Sequence, residues 1–411
     1  MSRRTLFSNA LIFDGHSPDL LADRFVLVEG DRIAAVSPER PDVADAKDVD
    51  LAGKVLMPGL IDCHFHAYAV KVDLAELETL PVSYLAQRGR RLMEDALRRG
   101  FTTVRDAGGA DYGLWRSIEE GVFQGPRLFF SGRAFSQTGG HVDARPQHLE
   151  PCGCVHAGNL GMVVDGVEDL RKAIRETLRQ GAHQIKIMVS GGIASPTDPV
   201  WMLQYADEEI AVAVDEAARR RTYVMAHAYT AETIARAVRL GVRSIEHGNL
   251  IDRATAELVA KHDAYVVPTL VTYDAIGRFG KETGAPETML SKLGEVSEAG
   301  KHAVDLCKDA GVRLGLGTDL LGDMHVHQLD ELRIRGEVQT PFEVLHSATA
   351  VNADIVQRPN ELGCIRAGAY ADMLVVDGNP LEDLSLLYGD TRRVDAIYRG
   401  GERVPTSPNV H

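Results

Sequence analysis

This sequence predicts an α/β architecture: a closed parallel (β/α)8 barrel with a small β-domain attached. Three observations carry the prediction. From Val55 onward, short apolar runs alternate with long stretches of helical periodicity, and eight such runs can be counted. Several helical stretches stop at glycine, as in Arg99-Gly100, Gln180-Gly181 and Leu240-Gly241. No Gly-x-Gly-x-x-Gly follows the first run, which disfavours a doubly wound sheet.

Residues 6 to about 52 read as short strands and turns. The run 6–13 ends at the turn signal Asp14-Gly15, and 25–36 reads as a hairpin with Gly30-Asp31 at its tip. The barrel strands are expected at 55–62, 102–106, 127–131, 184–189, 223–227, 244–247, 265–270 and 313–318. Helices are expected at 82–99, 167–180, 206–221, 230–240 and 253–261. A further helix at 342–350 leads into strand and turn over 363–380, and 394–399 is one more strand. Both chain ends are therefore β-rich. We expect a discontinuous small domain from residues 1–54 plus 359–411 and a catalytic barrel from 55–358.

The chain has 411 residues, 45% of them hydrophobic and 25% charged, which suits a soluble globular protein. A net charge of −14 and the lack of a basic block argue against nucleic acid as a partner. No apolar stretch approaches the roughly 20 residues that span a bilayer, so no membrane partner is expected. Met1-Ser2-Arg3-Arg4 is not followed by the apolar core of a signal peptide. Five cysteines without a framework of spacings fit free thiols in a reducing, cytoplasmic compartment.

In a parallel barrel the chemistry collects at the C-terminal ends of the strands. Those positions hold His64 and His66, then Lys186, His227, His247 and Asp319. Alternation along a strand turns His64 and His66 to the same side. Two buried imidazoles side by side call for a partner, and a divalent metal ion supplies one. Each position has a plainer reading. A histidine at a strand end can be hydrogen-bonded structure, and Asp319 can cap a helix. Lys186 can lie along an outer surface. Pointing inward, it needs a shifted pKa or carboxylation by carbon dioxide to an anionic ligand.

The set resembles the amidohydrolase superfamily, in its subtype with two metal ions. The resemblance rests on Pro58-Gly59-Leu60-Ile61-Asp62-x-His64-x-His66, on Lys186, His227, His247 and Asp319, and on the tail Gly368-x-x-Ala371-Asp372-Met373-Leu374-Val375-Val376. It covers almost the whole chain. Ser190-Gly191-Gly192-Ile193-Ala194-Ser195-Pro196, His227-Ala228-Tyr229 and Gly139-Gly140-His141-x-Asp143 look like the prolidase-like group. The resemblance implies a TIM-like barrel with a β-sandwich built from both chain ends. It implies that His64, His66 and Asp319 hold a more buried divalent metal and His227 and His247 a more exposed one. Carboxylated Lys186 and a hydroxide would bridge the two. Zinc fits such donors, as would manganese, iron or cobalt. Asp319 would take the proton of the hydroxide and pass it to the leaving nitrogen.

Two further residues are candidates. His141 is expected to stabilise the developing oxyanion, against the plainer reading of a flexible-loop histidine. Tyr229 is expected to bind a substrate carboxylate, against that of a packing tyrosine. His325-x-His327 is read as rim of the mouth or support for the ligands. Cys152-Gly153-Cys154 is read as a loop thiol pair and Cys63 as a small core residue. The glycine-bearing, charged stretch 272–299 is read as a candidate lid.

The expected activity is metal-dependent hydrolysis of amide bonds in dipeptides ending in proline or another hydrophobic residue. Hydrolysis of N-acyl amino acids, or of amide, urea and cyclic-amide small molecules, remains an alternative. A deaminase is disfavoured by Lys186, and a silent scaffold by the intact donor set. The expected partners are a small molecule or dipeptide and further copies of the chain in a homo-oligomer.

Overall fold

Strands from the two chain ends meet in one mixed sheet of eight strands. In the computed structural model, which describes residues 4–145 and 160–405, Arg4–Ile12 runs antiparallel to Leu21–Glu29, which pairs in turn with Arg32–Ser37. From the other end, Met373–Val376 lies antiparallel between Val55–Pro58 and Val394–Arg399. The hairpin turn falls at Gly30-Asp31, as the sequence predicts. Its inward side chains, with Phe7, Ile12, Leu56 and Met373, make a core separate from the larger ones.

Two parallel sheets carry the centre of the chain. One has three strands, Leu60–Phe65, Phe101–Asp106 and Arg127–Phe130. The other has seven, among them Ile185–Met188, Val224–Thr230, Ser244–Leu250, Tyr265–Val267 and Arg313–Leu314 in sequence order. Backbone bonds join the sheets at both edges. Cys63 N donates to Leu316 O (2.9 Å), and Asp319 N donates to His64 O (2.7 Å). At the other edge His183 N donates to Phe130 O (2.8 Å).

Helices pack outside, and the predicted 82–99 and 253–261 stand as Val82–Arg99 and Arg253–Lys261. Two elements differ from the expectation. The apolar run 55–62 is two strands: Val55–Pro58 joins the mixed sheet, and Leu60–Phe65 the three-stranded one. Both are buried throughout, so no change of periodicity marks the break. The last run, 313–318, is a regular strand only over Arg313–Leu314. Beyond it the chain presses against the first parallel strand, where a Cβ at Gly317 would lie 2.7 Å from that of His64. That approach aims Asp319 at the histidines.

The stretch 272–299 is mostly helical, within Leu270–Thr283 and Glu287–Lys292. Its glycines sit on helix faces or at the stop Gly284. Thr272, Ile276 and Met289 face the mouth. Cys152 and Cys154 lie outside the described residues.

Candidate active site

The six strand-end positions singled out from the sequence converge on one pocket. His64 is the penultimate residue of Leu60–Phe65 and His66 follows that strand; both are buried, with ring centroids 5.3 Å apart. Asp319 enters from the adjoining edge, with Oδ1 3.1 Å from His66 Nε2 and 3.5 Å from His64 Nε2. One donor atom from each of these three residues lies within 4.8 Å of the others. His247, in the middle of the strand Ser244–Leu250, has its ring 5.0 Å from His64 and 4.7 Å from His227. Lys186 projects from Ile185–Met188, the strand paired with that of His227, and is 1% exposed.

The electrostatics suit ligation. Burial pushes His64 and His227 well below the usual imidazole range and His247 to about 3. Neutral imidazole is the form that binds metal. Burial would lower His66 too, but its bond to Asp319 outweighs this and raises it. Burial alone would raise Asp319; the surrounding imidazoles of His64, His66 and His247 instead hold it below the ordinary carboxylate range. Burial lowers the Lys186 amine to about 8, against the opposing pull of Glu246 and Asp319. A largely desolvated amine with accessible neutral form is what carboxylation by carbon dioxide requires. The donor chemistry therefore fits divalent cations.

Ring orientation is set by oxygens behind the imidazoles. His64 Nδ1 lies 2.8 Å from Glu246 Oε2, His66 Nδ1 3.0 Å from Gly108 O, and His247 Nδ1 2.7 Å from Thr269 Oγ1. His227 Nε2 is 3.1 Å from Gly191 O. His247 and Asp319 both adopt positive φ, 75° and 51°, so the local fold holds them in backbone conformations that side-chain-bearing residues seldom take.

His141 is not on a free loop. Its ring stacks on His227 at 4.1 Å, and Nδ1 lies 2.7 Å from Ser195 Oγ and 3.3 Å from Asp198 Oδ2. Tyr229 is inside the longer strand Val224–Thr230 rather than at a loop start, and stacks on His247 at 5.2 Å. The Tyr273 hydroxyl donates to its oxygen (3.1 Å). Of the two readings of His325, burial removes the rim and leaves support for the ligands. The residue is 1% exposed, in the turn Gly322–His327, with its ring 4.8 Å from Phe65. His327 stands apart, stacked on Phe279 and 3.2 Å from Asp330.

Sequence reasoning missed Arg105, Glu246, Asp198 and Lys292. A signal existed for the first two. Arg105 and Glu246 interrupt short apolar strand runs, and buried charges of opposite sign need each other. They form a fully buried pair at 2.8 Å, with Ser244 bonded to the same carboxylate. Asp198 and Lys292 lie in connections whose course no periodicity foretells.

Residues 55–404 match the Amidohydrolase family. The chain belongs to that family. Ochratoxinase of Aspergillus niger is 33% identical over 365 residues, 85% of this chain and 75% of that protein. A prolidase solved with N-methylphosphonate-L-proline shares 48% identity, with a TM-score of 0.95, over 98% of this chain and 99% of that one. An Xaa-Pro dipeptidase with bound methionine shares 27% identity, with a TM-score of 0.86, over 98% and 99%. The protein is a prolidase-like amidohydrolase, a hydrolase of amide bonds. Among its described residues no helix is long and apolar enough to cross a membrane.

Proposed function

We propose that this amidohydrolase cleaves dipeptides whose C-terminal residue is proline or another hydrophobic residue. The observation that carries the reading is a predominantly apolar pocket ending on the donor cluster. Leu74, Leu160, Met188, Ile193, Ile276 and Met289 line it above His64, His66, Lys186 and Asp319. The prolidase and dipeptidase neighbours support the same substrate class. The ochratoxinase relative supports hydrolysis of N-acyl amino acids as a second reading.

The two parallel sheets, bonded at both edges, are read as one (β/α)8 barrel with the site at its mouth. The catalytic unit is placed at 55–358, and a β-sandwich unit at 1–54 plus 359–411, with Val55–Pro58 as the strand that links them. The free, buried Cys63, Cys307 and Cys364 support a reducing compartment such as the cytoplasm.

His64, His66 and Asp319 would hold one divalent ion, and His227 and His247 a second. Lys186, as its carbamate, would be shared between them. Zinc suits this mixed nitrogen and oxygen set. Such ions lower the pKa of bound water and polarise a carbonyl. The chain's own residues do the rest. Asp319, held ionised, takes a proton on its carboxylate from the attacking water and delivers it to the leaving nitrogen. His141 donates from Nδ1 to Ser195 and faces the Asp198 carboxylate, so as the imidazolium it would donate from Nε2 to the carbonyl oxygen. Tyr229 accepts from Tyr273, so its own O–H is free to donate to the substrate carboxylate.

The test is a hydrolysis screen of zinc-loaded protein on Xaa-Pro dipeptides and N-acyl amino acids. Turnover of Xaa-Pro with an apolar residue is expected. No turnover of any member of either set sinks the substrate assignment.

A further inference from the structure

Lys292 is the last residue of the helix Glu287–Lys292, in the stretch whose Thr272, Ile276 and Met289 line the pocket. A lysine there would ordinarily extend into water and complement its own helix. This one does not. Its side chain is 16% exposed, and Nζ donates to three carbonyls of a single loop: Gly192 O (2.9 Å), Ser195 O (2.9 Å) and Asp198 O (2.6 Å). All three ammonium protons are thus used. Asp198 Oδ1, at 3.8 Å, adds an opposite charge.

The inner side of that loop is organised on the Asp198 carboxylate. Gly192 N donates to Oδ2 at 3.1 Å, Gln204 Nε2 donates to Oδ2 at 3.0 Å, and the Ser195 hydroxyl donates to Oδ1. Ser195 and Asp198 are the residues that hold His141 Nδ1. Gln204 also accepts from His141 N at 3.0 Å. Gly192 lies under the ring so closely that a Cβ there would be 2.2 Å from His141 Cε1. The loop is a seat for His141, and Lys292 grips the outside of that seat. Met289, one turn earlier on the same helix, lines the pocket beside Ile193 and Ala194.

We infer that Lys292 is a positioning residue: it latches the helix Glu287–Lys292 to the loop 192–198 and so holds His141 over the pocket. The inference rests on the role given to His141 above. It makes the helix that lines the pocket through Met289 and the group that meets the carbonyl one mechanical unit. A three-donor clamp built on backbone carbonyls does not depend on the loop's side chains. An apolar side chain of similar length cannot replace it.

The test uses the full-length, zinc-loaded chain with Leu-Pro as substrate and four proteins: wild type, Lys292→Met, His141→Ala and the double variant. His141→Ala alone is expected to lower kcat about 100-fold. Lys292→Met is expected to lower kcat about 10-fold in the wild-type background, through displacement of His141. In the His141→Ala background it is expected to change kcat by less than about 2-fold, because the group it positions is gone. Hydrogen–deuterium exchange of the same proteins is expected to show faster exchange at amides 191–204 wherever Lys292 is replaced. Lys292→Gln, a milder change, is expected to move both readouts in the same direction by less. Equal losses of kcat in both backgrounds, or unchanged exchange at 191–204, overturn the latch. Wild-type kcat in His141→Ala overturns instead the role of His141.

Discussion

Nδ1 of His64 lies 2.8 Å from Oε2 of Glu246, and the other oxygen of that carboxylate is 2.8 Å from an Arg105 guanidinium nitrogen. None of the three side chains has more than 1% exposure. The carboxylate accepts the Nδ1 proton, which leaves the Nε2 lone pair facing Asp319 and the pocket. The arrangement fixes a tautomer as well as a position.

Glu246→Gln keeps the shape and removes the charge. Arg105 is then buried beside a neutral amide, and the expected loss of stability is about 3–5 kcal/mol, the range for breaking a buried pair. Metal affinity is expected to fall by about 10–100-fold as His64 loses its orienting partner. Urea denaturation of the metal-free protein and zinc titration of the folded protein separate the two effects. Wild-type values in both measurements would refute the orienting role.

Lys186→Ala is expected to lose about one metal ion per chain and most of the activity, because a shared ligand is removed from the cluster. Metal analysis after dialysis reads the first and a dipeptide assay the second. A variant that keeps its full metal content disproves the shared role. Chelation of the wild type is expected to abolish turnover, and zinc to restore it.

Tyr229→Phe removes one donor and leaves the ring stacked on His247. For a dipeptide with a free carboxylate, KM is expected to rise about 10-fold, the value of one hydrogen bond to a charged group. For the same dipeptide capped as an amide, little change is expected. Equal effects on both substrates would place the tyrosine in packing only.

Glu331 offers a pH test away from the metal donors. Burial pushes its carboxyl from 4.5 up to about 7, although Arg335 and the N–H groups of Val271 and Leu270 pull the other way. Below pH 4.5 folded and unfolded chains both hold the proton. Between 4.5 and about 7 the folded chain holds more of it, so stability falls as pH rises, by roughly 3 kcal/mol in all. Glu331→Gln is expected to flatten that fall and to be the more stable protein at pH 8. The Gln oxygen still accepts from Val271 N, as Glu331 Oε2 does now at 2.7 Å. Urea midpoints at pH 4.5 and pH 8 decide it; parallel slopes in the two proteins remove Glu331 as the source.

Most of the architecture is legible in the chain because its signals are local. Helical periodicity, with a glycine stop at Gly100 for the first, locates Val82–Arg99 and Arg253–Lys261 to the residue. The break inside 55–62 is not legible, because both strands are buried on both faces and share one apolar texture. The stretch 272–299, read from the sequence as a candidate lid, is mostly helical, within Leu270–Thr283 and Glu287–Lys292.

Residue types and their strand-end spacing are enough to nominate His64, His66, Lys186, His227, His247 and Asp319 as one set. That much is in the sequence, because alternation along a strand and the order of strands decide which side chains share a face. Only the tertiary structure places Glu246 behind His64, Asp198 behind His141, and Lys292 on the carbonyls of the loop between them. Those partners are separated from the groups they hold by 182, 57 and 100 residues respectively. Hydrogen bonds over such distances depend on where connections of irregular shape come to rest. Local propensity does not encode that, and packing of the whole chain does.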